Sequence, residues 1–270
     1  MIPSRLPTYA LPTEDELPVA KVEWAFDPNR AALLIHDMQQ YFMDFYDGGY
    51  PDLVANINRL RSLGIPTIYT QQPANQTHAE RGLLRDRWGA GPDHRIDIIE
   101  PLRPHEADHR VIKRRYSAFH ATDMEQILQE AGRDQLLICG VYAHIGITAT
   151  AIDAFSRDIA PFVVADAIAD FDRDRHILAI NHLAATCSRL VTADDVSRPQ
   201  PPSLEDVRRQ VLALLDDDVD DEDNLIEAGL DSIRVMSLIE QWKAAGIEVA
   251  FADLAADPTI TGFHQSLAGE

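Results

Sequence analysis

Cysteine is scarce: the 270 residues contain two, Cys139 and Cys187. Two thiols make no disulfide framework and suit a reducing compartment. No run of about 18 apolar residues occurs, so a membrane-spanning helix is not expected. Residues 1–18 lack an apolar signal core and are rich in proline and charge. They read as an extended arm lying on the domain, and a cytoplasmic location follows as an expectation. Basic residues are few, 24 against 44 acidic, for a net charge of -20. That balance argues against non-specific nucleic-acid binding, which needs a basic face. Glycine is missing where calcium would require it. The acidic run 216–223 has Asp221 at the sixth position, where an EF-hand loop turns on glycine. The run reads instead as a solvated face that docks basic partner proteins. Zinc has little support either. His105, Glu106 and His109 have the H-E-x-x-H spacing, but Pro101 and Pro104 precede them and a strand follows. That places both histidines in a connecting loop rather than on the amphipathic helix the motif needs.

What is present is an alternation of short apolar runs with helical patterns. Residues 31–39, AALLIHDMQ, are apolar up to His36 and Asp37. Such a run reads as a strand buried on both faces, as in a parallel sheet. Ligands of open α/β sheets sit beyond the carboxyl ends of the strands, so Asp37 is placed for chemistry. Capping of the next turn is the plain alternative for Asp37. His36 is read as a structural hydrogen-bonder, with activation of water as its other option. Leu53, Val54, Ile57, Leu60 and Leu63 then recur at helical spacing, with Gly64 as C-cap. IPTIYT is the second strand and leads to Gln71 and Gln72. The polar segment with Arg81, Arg85, Arg87 and Trp88 is too long for a passive connection and reads as a site-covering loop with a short helix. RVIKRRY is the third strand, with Lys113 inside it. Thr122 and Glu125 form a capping box for the next helix. QLLICG, PFVVADAIA and SRLVTA are the remaining strands, with the helices VYAHIGITATAIDAFSRD and RDRHILAINHLAAT between them. Strands alternating with helices give an α/β doubly wound parallel sheet.

Past residue 193 the composition changes. Residues 194–202, DDVSRPQPP, read as a linker. From Ser203 on there are 16 acidic residues against 4 basic, compared with 28 against 20 before it. This last part is a separate acidic unit of three or four helices, the first running from Ser203 through Leu215 and the last opening at Pro258–Thr259–Ile260. The expected division is 1–193, a linker over 194–202, and 203–270. Within the acidic unit, Ser232 stands in GLDSIRVM at the first turn of an amphipathic helix. Asp231 or Ser232 could be an ordinary N-cap. A hydroxyl there could also carry a phosphodiester, since free N–H groups and the helix dipole favour negative charge at a helix start.

The acidic unit, from its acidic loop through EAGLDSIRVM to DPTI, resembles acyl and aryl carrier proteins. The resemblance implies an all-α bundle bearing covalent 4′-phosphopantetheine on Ser232. The first domain, with HDMQ, VIKRRYSAF and GVYAHIG, resembles the isochorismatase-like hydrolases over essentially its whole length. Many of these are amidohydrolases with a nucleophilic cysteine four residues past the position of Tyr142. In this chain that position is Gly146, and neither Cys139 nor Cys187 is placed to substitute, which disfavours a thiolate mechanism. The order of the two domains is similar to that of the bifunctional isochorismatase and aryl carrier proteins of catechol siderophore synthesis.

This resemblance implies hydrolysis of isochorismate to 2,3-dihydro-2,3-dihydroxybenzoate and pyruvate. It also implies carriage of a 2,3-dihydroxybenzoyl thioester for nonribosomal siderophore synthesis. Vinyl ether hydrolysis begins with protonation of the methylene carbon, which needs an acid that is neutral when it acts. Asp37 is the candidate; its ordinary value is about 3.9, so burial and a dianionic substrate must raise it. Lys113 opposes that shift and is therefore assigned to the pyruvyl carboxylate of the substrate. By resemblance Gln72 lines the pocket, Arg81 binds a carboxylate and Trp88 excludes water. Tyr116 and Phe119 wall the ring, with Tyr142 and Gly146 beside it, and the Val141–Tyr142 peptide is cis. Implied partners are a phosphopantetheinyl transferase, a 2,3-dihydroxybenzoate-AMP ligase, the condensation domain of a nonribosomal peptide synthetase and further copies of the chain. A cysteine-type amidase, or a carrier scaffold with a non-catalytic first domain, stays open at this point.

Overall fold

A computed structural model describes residues 3–198, 201–215, 218–244 and 246–269. The chain divides into two compact units, Met1–Ser197 and Arg198–Glu270. In the first, β1 (Ala31–His36) leads through the one-turn helix α1 (Gln40–Met43) to α2 (Pro51–Arg61) and β2 (Thr67–Gln71). Two short helices, α3 (His78–Arg81) and α4 (Leu84–Trp88), precede β3 (His109–Ile112). Then come α5 (Met124–Glu130), β4 (Gln135–Val141), α6 (Thr148–Phe155), β5 (Ala160–Ala169), α7 (Arg173–Thr186), β6 (Arg189–Val191) and α8 (Ala193–Ser197).

Among the described residues all six strands are parallel, in the order β3-β2-β1-β4-β5-β6. The chain builds outward from β1 to β3, then returns to the other side of β1 with β4. The crevice past the ends of β1 and β4 is therefore the topological switch point, where doubly wound sheets bind ligands. Alternate residues of the strands feed two cores. Leu33, Ile35, Leu137 and Cys139 face one core, which α2 closes with Leu53, Ile57 and Leu60. Leu34, Leu136 and Ile138 face the other, closed by α5, α6 and α7 through Leu128, Ala151 and Leu183. The arm is fastened to the first core: Leu6 is fully buried, and its N–H donates to the Phe45 carbonyl. The Tyr9 hydroxyl accepts from the Asp170 N–H and lies 3.0 Å from Nδ1 of His176. Met1 and Ile2 of the expected arm lie outside the described residues.

Several expectations are corrected. β3 ends at Ile112, so Lys113 lies just beyond it, although its N–H still donates to the Gln71 carbonyl at 3.0 Å. The Thr122–Glu125 capping box does not form. The Thr122 hydroxyl turns back to the Ala118 carbonyl, and Asp123 holds the N-cap of α5 without a side-chain bond. The stretch after β4 is not one helix: a wide π turn, Ala143–Ile147, precedes α6. The expected linker starts too early, since α8 (Ala193–Ser197) buries Ala193 and Val196 in the first core. Residues 199 and 200 of that linker, and 216 and 217 of the acidic run, lie outside the described residues. His105 and Asp108 form a turn ahead of β3, and His109 is the first residue of that strand.

Among the described residues the second unit has four helices: α9 (Leu204–Leu212), α10 (Ser232–Ala244), α11 (Phe251–Ala256) and α12 (Ile260–Ala268). The first ends one turn short of Leu215. Val207, Val211, Leu238, Trp242, Leu254 and Phe263 are buried together between them. Ser203 and Thr259 cap α9 and α12, each accepting from the N–H three residues on. Among the described residues, no helix is long and apolar enough to cross a membrane.

Candidate functional site

The first site is assembled from residues just past four parallel strands. β1 delivers Asp37, which is 4 % exposed and held at a left-handed φ of 52°. Non-glycine residues seldom adopt that region, so their neighbours must hold them there. Thr70, near the end of β2, does so: its Oγ1 accepts from the Asp37 N–H at 3.0 Å and donates to Asp37 Oδ1 at 2.7 Å. Nε2 of Gln72 donates to the other carboxylate oxygen, Oδ2, at 2.8 Å. Gln72 is itself clamped by Gln39, whose Oε1 accepts from the Gln72 N–H while Nε2 donates to the Gln72 carbonyl.

Lys113, past β3, is fully buried with Nζ 2.8 Å from Asp37 Oδ2. It also donates to the carbonyls of Arg115 and Tyr116, each at 3.2 Å. This corrects two expectations for the protein without substrate. Burial pushes the Asp37 carboxyl up, but the Lys113 ammonium and the bonds from Lys113 and Gln72 outweigh it, so the group is held below the usual carboxylate range. Burial in turn pulls Lys113 below its ordinary value, against the attraction of Asp37. Lys113 is therefore the partner of Asp37 and not a cation standing free for substrate.

Behind the pair, His36 is fully buried and pushed down to about 4, first by burial and then by Lys113. Its Nδ1 bonds the Val141 carbonyl at 2.9 Å, and its Nε2 lies 3.4 Å from Thr150 Oγ1. The imidazole is neutral near pH 7 and structural, as one of the two readings has it. Past β4 the Val141–Tyr142 peptide is cis. The Tyr142 hydroxyl donates to the Phe42 carbonyl at 3.2 Å, and its ring packs edge-on against Phe171 at 4.8 Å.

These groups border a cavity of about 550 Å³, counting its open mouth. Asp37, Gln72, Lys113, Tyr142 and Gly146 line it, together with Arg81, Trp88 and Tyr116. Arg81 is buried, with one guanidinium N–H on Gln72 Oε1 at 3.0 Å and its Nε unpartnered among the described residues. Nε1 of Trp88 donates to the Tyr116 hydroxyl at 2.7 Å. Phe119 is the exception. It is buried in the other core, near Ala118 and Met124, with the Arg157 guanidinium 5.2 Å over its ring, and does not border the cavity. Thr70, Gln39 and Arg115 belong to the site but were not singled out from the sequence. Gln39 lay inside the HDMQ motif, whereas Thr70 carried no signal of its own.

No thiol reaches this cavity. A Cβ on Gly146 would sit 2.2 Å from His36 Cε1, so the imidazole occupies the space of a side chain there. Cys139 is fully buried in β4, with Sγ on the Leu34 carbonyl, and burial pushes its thiol far up. Cys187 is buried in the second core.

In the second unit, Asp231 rather than Ser232 is the cap of α10. Its Oδ1 accepts from the N–H groups of Ile233 and Arg234 at 3.0 and 2.9 Å. Ser232 is exposed, and among the described residues its hydroxyl has no hydrogen-bond partner. It borders an apolar cleft of about 530 Å³ lined by Leu230, Val235, Phe251 and Leu254. An exposed, unbonded hydroxyl at a helix start fits covalent attachment of a phosphodiester.

A switch-point carboxylate on a six-stranded parallel sheet, with glycine in place of a nucleophile, defines the class. The chain belongs to the isochorismatase family: residues 31–195 match the Isochorismatase domain, and residues 204–264 match the Phosphopantetheine attachment site family. It is 45 % identical to Enterobactin synthase component B of Escherichia coli (strain K12), over 98 % of both chains. It is 40 % identical to the Isochorismatase of Bacillus subtilis (strain 168), over 96 % of this chain and 93 % of that one. The crystal structure of a cysteine hydrolase from Pseudomonas syringae pv. phaseolicola 1448A, 24 % identical, superposes with a TM-score of 0.60 over 67 % of this chain and 95 % of that one, and shows the shared fold. The protein thus joins an isochorismatase domain to a phosphopantetheine carrier domain.

Proposed function

We propose that the first unit hydrolyses the enolpyruvyl ether of isochorismate, giving 2,3-dihydro-2,3-dihydroxybenzoate and pyruvate, with Asp37 as the proton donor. The observation that carries this is Asp37 itself: a buried carboxyl at the switch point, fixed by Thr70 and Gln72, in a cavity without a thiol. Asp37 and Lys113 together hold one exchangeable proton, and burial of Lys113 eases its transfer to the carboxyl. A dianionic substrate whose methylene lies over Asp37 raises that carboxyl further. Asp37 protonates the methylene carbon and the ether becomes an oxocarbenium ion. Water adds to the oxygen-bearing carbon of that ion and gives its proton back to the Asp37–Lys113 pair; the hemiketal then breaks its C–O bond, its hydroxyl proton passing to the ring oxygen, to release the ring alcohol and pyruvate. Trp88 and Tyr116, joined to each other and both lining the cavity, limit access of bulk water.

The second unit carries 4′-phosphopantetheine on Ser232, whose unbonded hydroxyl is its point of attachment. When bound, that group supplies a thiol for a 2,3-dihydroxybenzoyl thioester. Asp231 holds the first turn of α10 and leaves Ser232 accessible to a phosphopantetheinyl transferase. An aryl-adenylating ligase would load the thiol and a condensation enzyme unload it, in the cytoplasm, where two unpaired cysteines are stable.

Release of pyruvate from isochorismate tests the first activity. Turnover should fall about 10²- to 10⁴-fold in Asp37→Asn, the range of a general acid. A wild-type chain releasing no pyruvate, or an Asp37→Asn chain of normal rate, overturns the reading. Mass spectrometry after incubation with a transferase and coenzyme A should show one added phosphopantetheine, absent in Ser232→Ala.

A further inference from the structure

The charged groups bordering the cavity leave two cations over. Asp37 is the one carboxylate among the lining residues, and Lys113 is its partner. Arg81 and Arg115 line the same cavity, and among the described residues neither is paired with a carboxylate. In a chain of net charge -20, two guanidinium groups bordering one cavity and paired with no carboxylate mark a place for two negative charges. Isochorismate has two carboxylates; the expected takers are Lys113 and Arg81, and Lys113 is engaged by Asp37 instead.

We propose that Arg115 binds the ring carboxylate of the substrate, so that the site selects dianionic enol ethers over monoanionic ones; this rests on the isochorismate reading above. Arg81 is joined through Gln72 to Asp37, by bonds of 3.0 and 2.8 Å. It therefore belongs with the enolpyruvyl carboxylate, whose methylene must meet the proton donor. Arg115 is held separately. Its Nη1 donates to the carbonyls of Glu80 and Arg114 at 2.8 and 2.9 Å, which orients the fork while leaving donors unused. The loop makes room for it. Gly82 has a φ of +56°, and a Cβ there would stand 2.8 Å from Arg115 Nη2. The Arg115 carbonyl also accepts from Lys113, so the same residue supports the catalytic pair. A planar fork on a carboxylate gives paired, charge-assisted hydrogen bonds, which a point charge does not reproduce.

Two probes decide the matter in the full-length chain. 3-(1-Carboxyethenyloxy)benzoate and 2-phenoxypropenoate both keep the enolpyruvyl carboxylate and differ only in the ring carboxylate. Their affinities are measured by titration calorimetry, which requires no turnover. The wild type should bind the dicarboxylate roughly 10- to 100-fold more tightly, the worth of one charge-assisted fork. Arg115→Met should remove most of that preference and leave the monocarboxylate within about 2-fold, whereas Arg115→Lys should keep part of it. Gly82→Ala, which crowds the guanidinium without removing it, should act in the same direction, and it decides if Arg115→Met does not fold. Arg81→Met should weaken both probes. A preference that survives Arg115→Met, or an equal loss for both probes, overturns the assignment. So does a preference erased by Arg81→Met instead. A wild type that shows the preference but releases no pyruvate from isochorismate overturns the hydrolase reading and leaves the charge assignment standing.

Discussion

At Gly146 a missing side chain decides the chemistry of the whole cavity. The space is taken by His36, whose ring is buried and bonded at Nδ1 to Val141. Any side chain at 146 must push that ring, and the ring backs the Asp37–Lys113 pair, with Nδ1 3.7 Å from Asp37 Oδ2. Gly146→Ala should therefore lower both stability and turnover, by about 1–3 kcal/mol for an overpacked core. His36→Ala in the same chain restores the space, so the double variant should be more stable than the summed single costs predict. Urea unfolding of the four proteins checks this, and simple additivity would sink the steric account. Asp37→Asn has a second cost besides its loss of activity. It leaves Lys113 buried without its counter-charge, which destabilises by about 3–5 kcal/mol where a buried pair is broken. Asp37→Asn combined with Lys113→Met should recover much of that stability and none of the turnover, as the same unfolding curves and the pyruvate assay would report.

Among the elements, α10 shows how the two readings of its first turn divide between neighbours. Asp231 takes the cap and Ser232 is left free to be modified. Asp231→Ala should cost about 0.5–2 kcal/mol of helix stability, seen as faster hydrogen exchange in α10 of the intact chain, while the serine remains present. Unchanged exchange there would mean that the cap is supplied elsewhere. The strands were legible because β1, β4 and β5 are near-continuous apolar runs, as strands covered on both faces must be. Asp37 was legible because such a run ends in a carboxylate. Thr70 was not: the pairing of Ile35 with Tyr69 brings it beside Asp37, and strand register is a property of two segments rather than one. Phe119 and Thr122 failed for a related reason. Local sequence offered a ring near a motif and a capping box, but tertiary packing bonds Ser117 to Asp153, turns Phe119 into the opposite core and uses the Thr122 hydroxyl on Ala118.

On the scale of the whole molecule, the first unit keeps two buried neutral histidines, one under the site and one under the arm. His176 sits in α7 with Nδ1 3.0 Å from the Tyr9 hydroxyl; burial pulls it down to about 4 despite the nearby Asp170. His36, facing Asp37 and Lys113, lies at about 4 as well. In the unfolded chain both imidazoles take up a proton near their ordinary 6.5. Between pH 6.5 and about 4 the unfolded chain therefore binds more protons than the folded one, and stability falls as pH falls. A gap of that size corresponds to on the order of 3 kcal/mol for each histidine. Asp37 acts in a lower window: its depressed value keeps the carboxylate charged in the fold, so its contribution is lost only below the ordinary carboxyl range. The urea midpoint of the first unit, read by pulse labelling of peptides from β1 and β4, should thus drop steadily from pH 7 to 4.5. His176→Gln should shift the whole curve but lessen its slope, because one of the two proton-linked groups is gone. A midpoint independent of pH across that window would show that neither imidazole is kept neutral by the fold. In that case His36 could not back Asp37 as an uncharged ring, nor His176 anchor the arm through Tyr9.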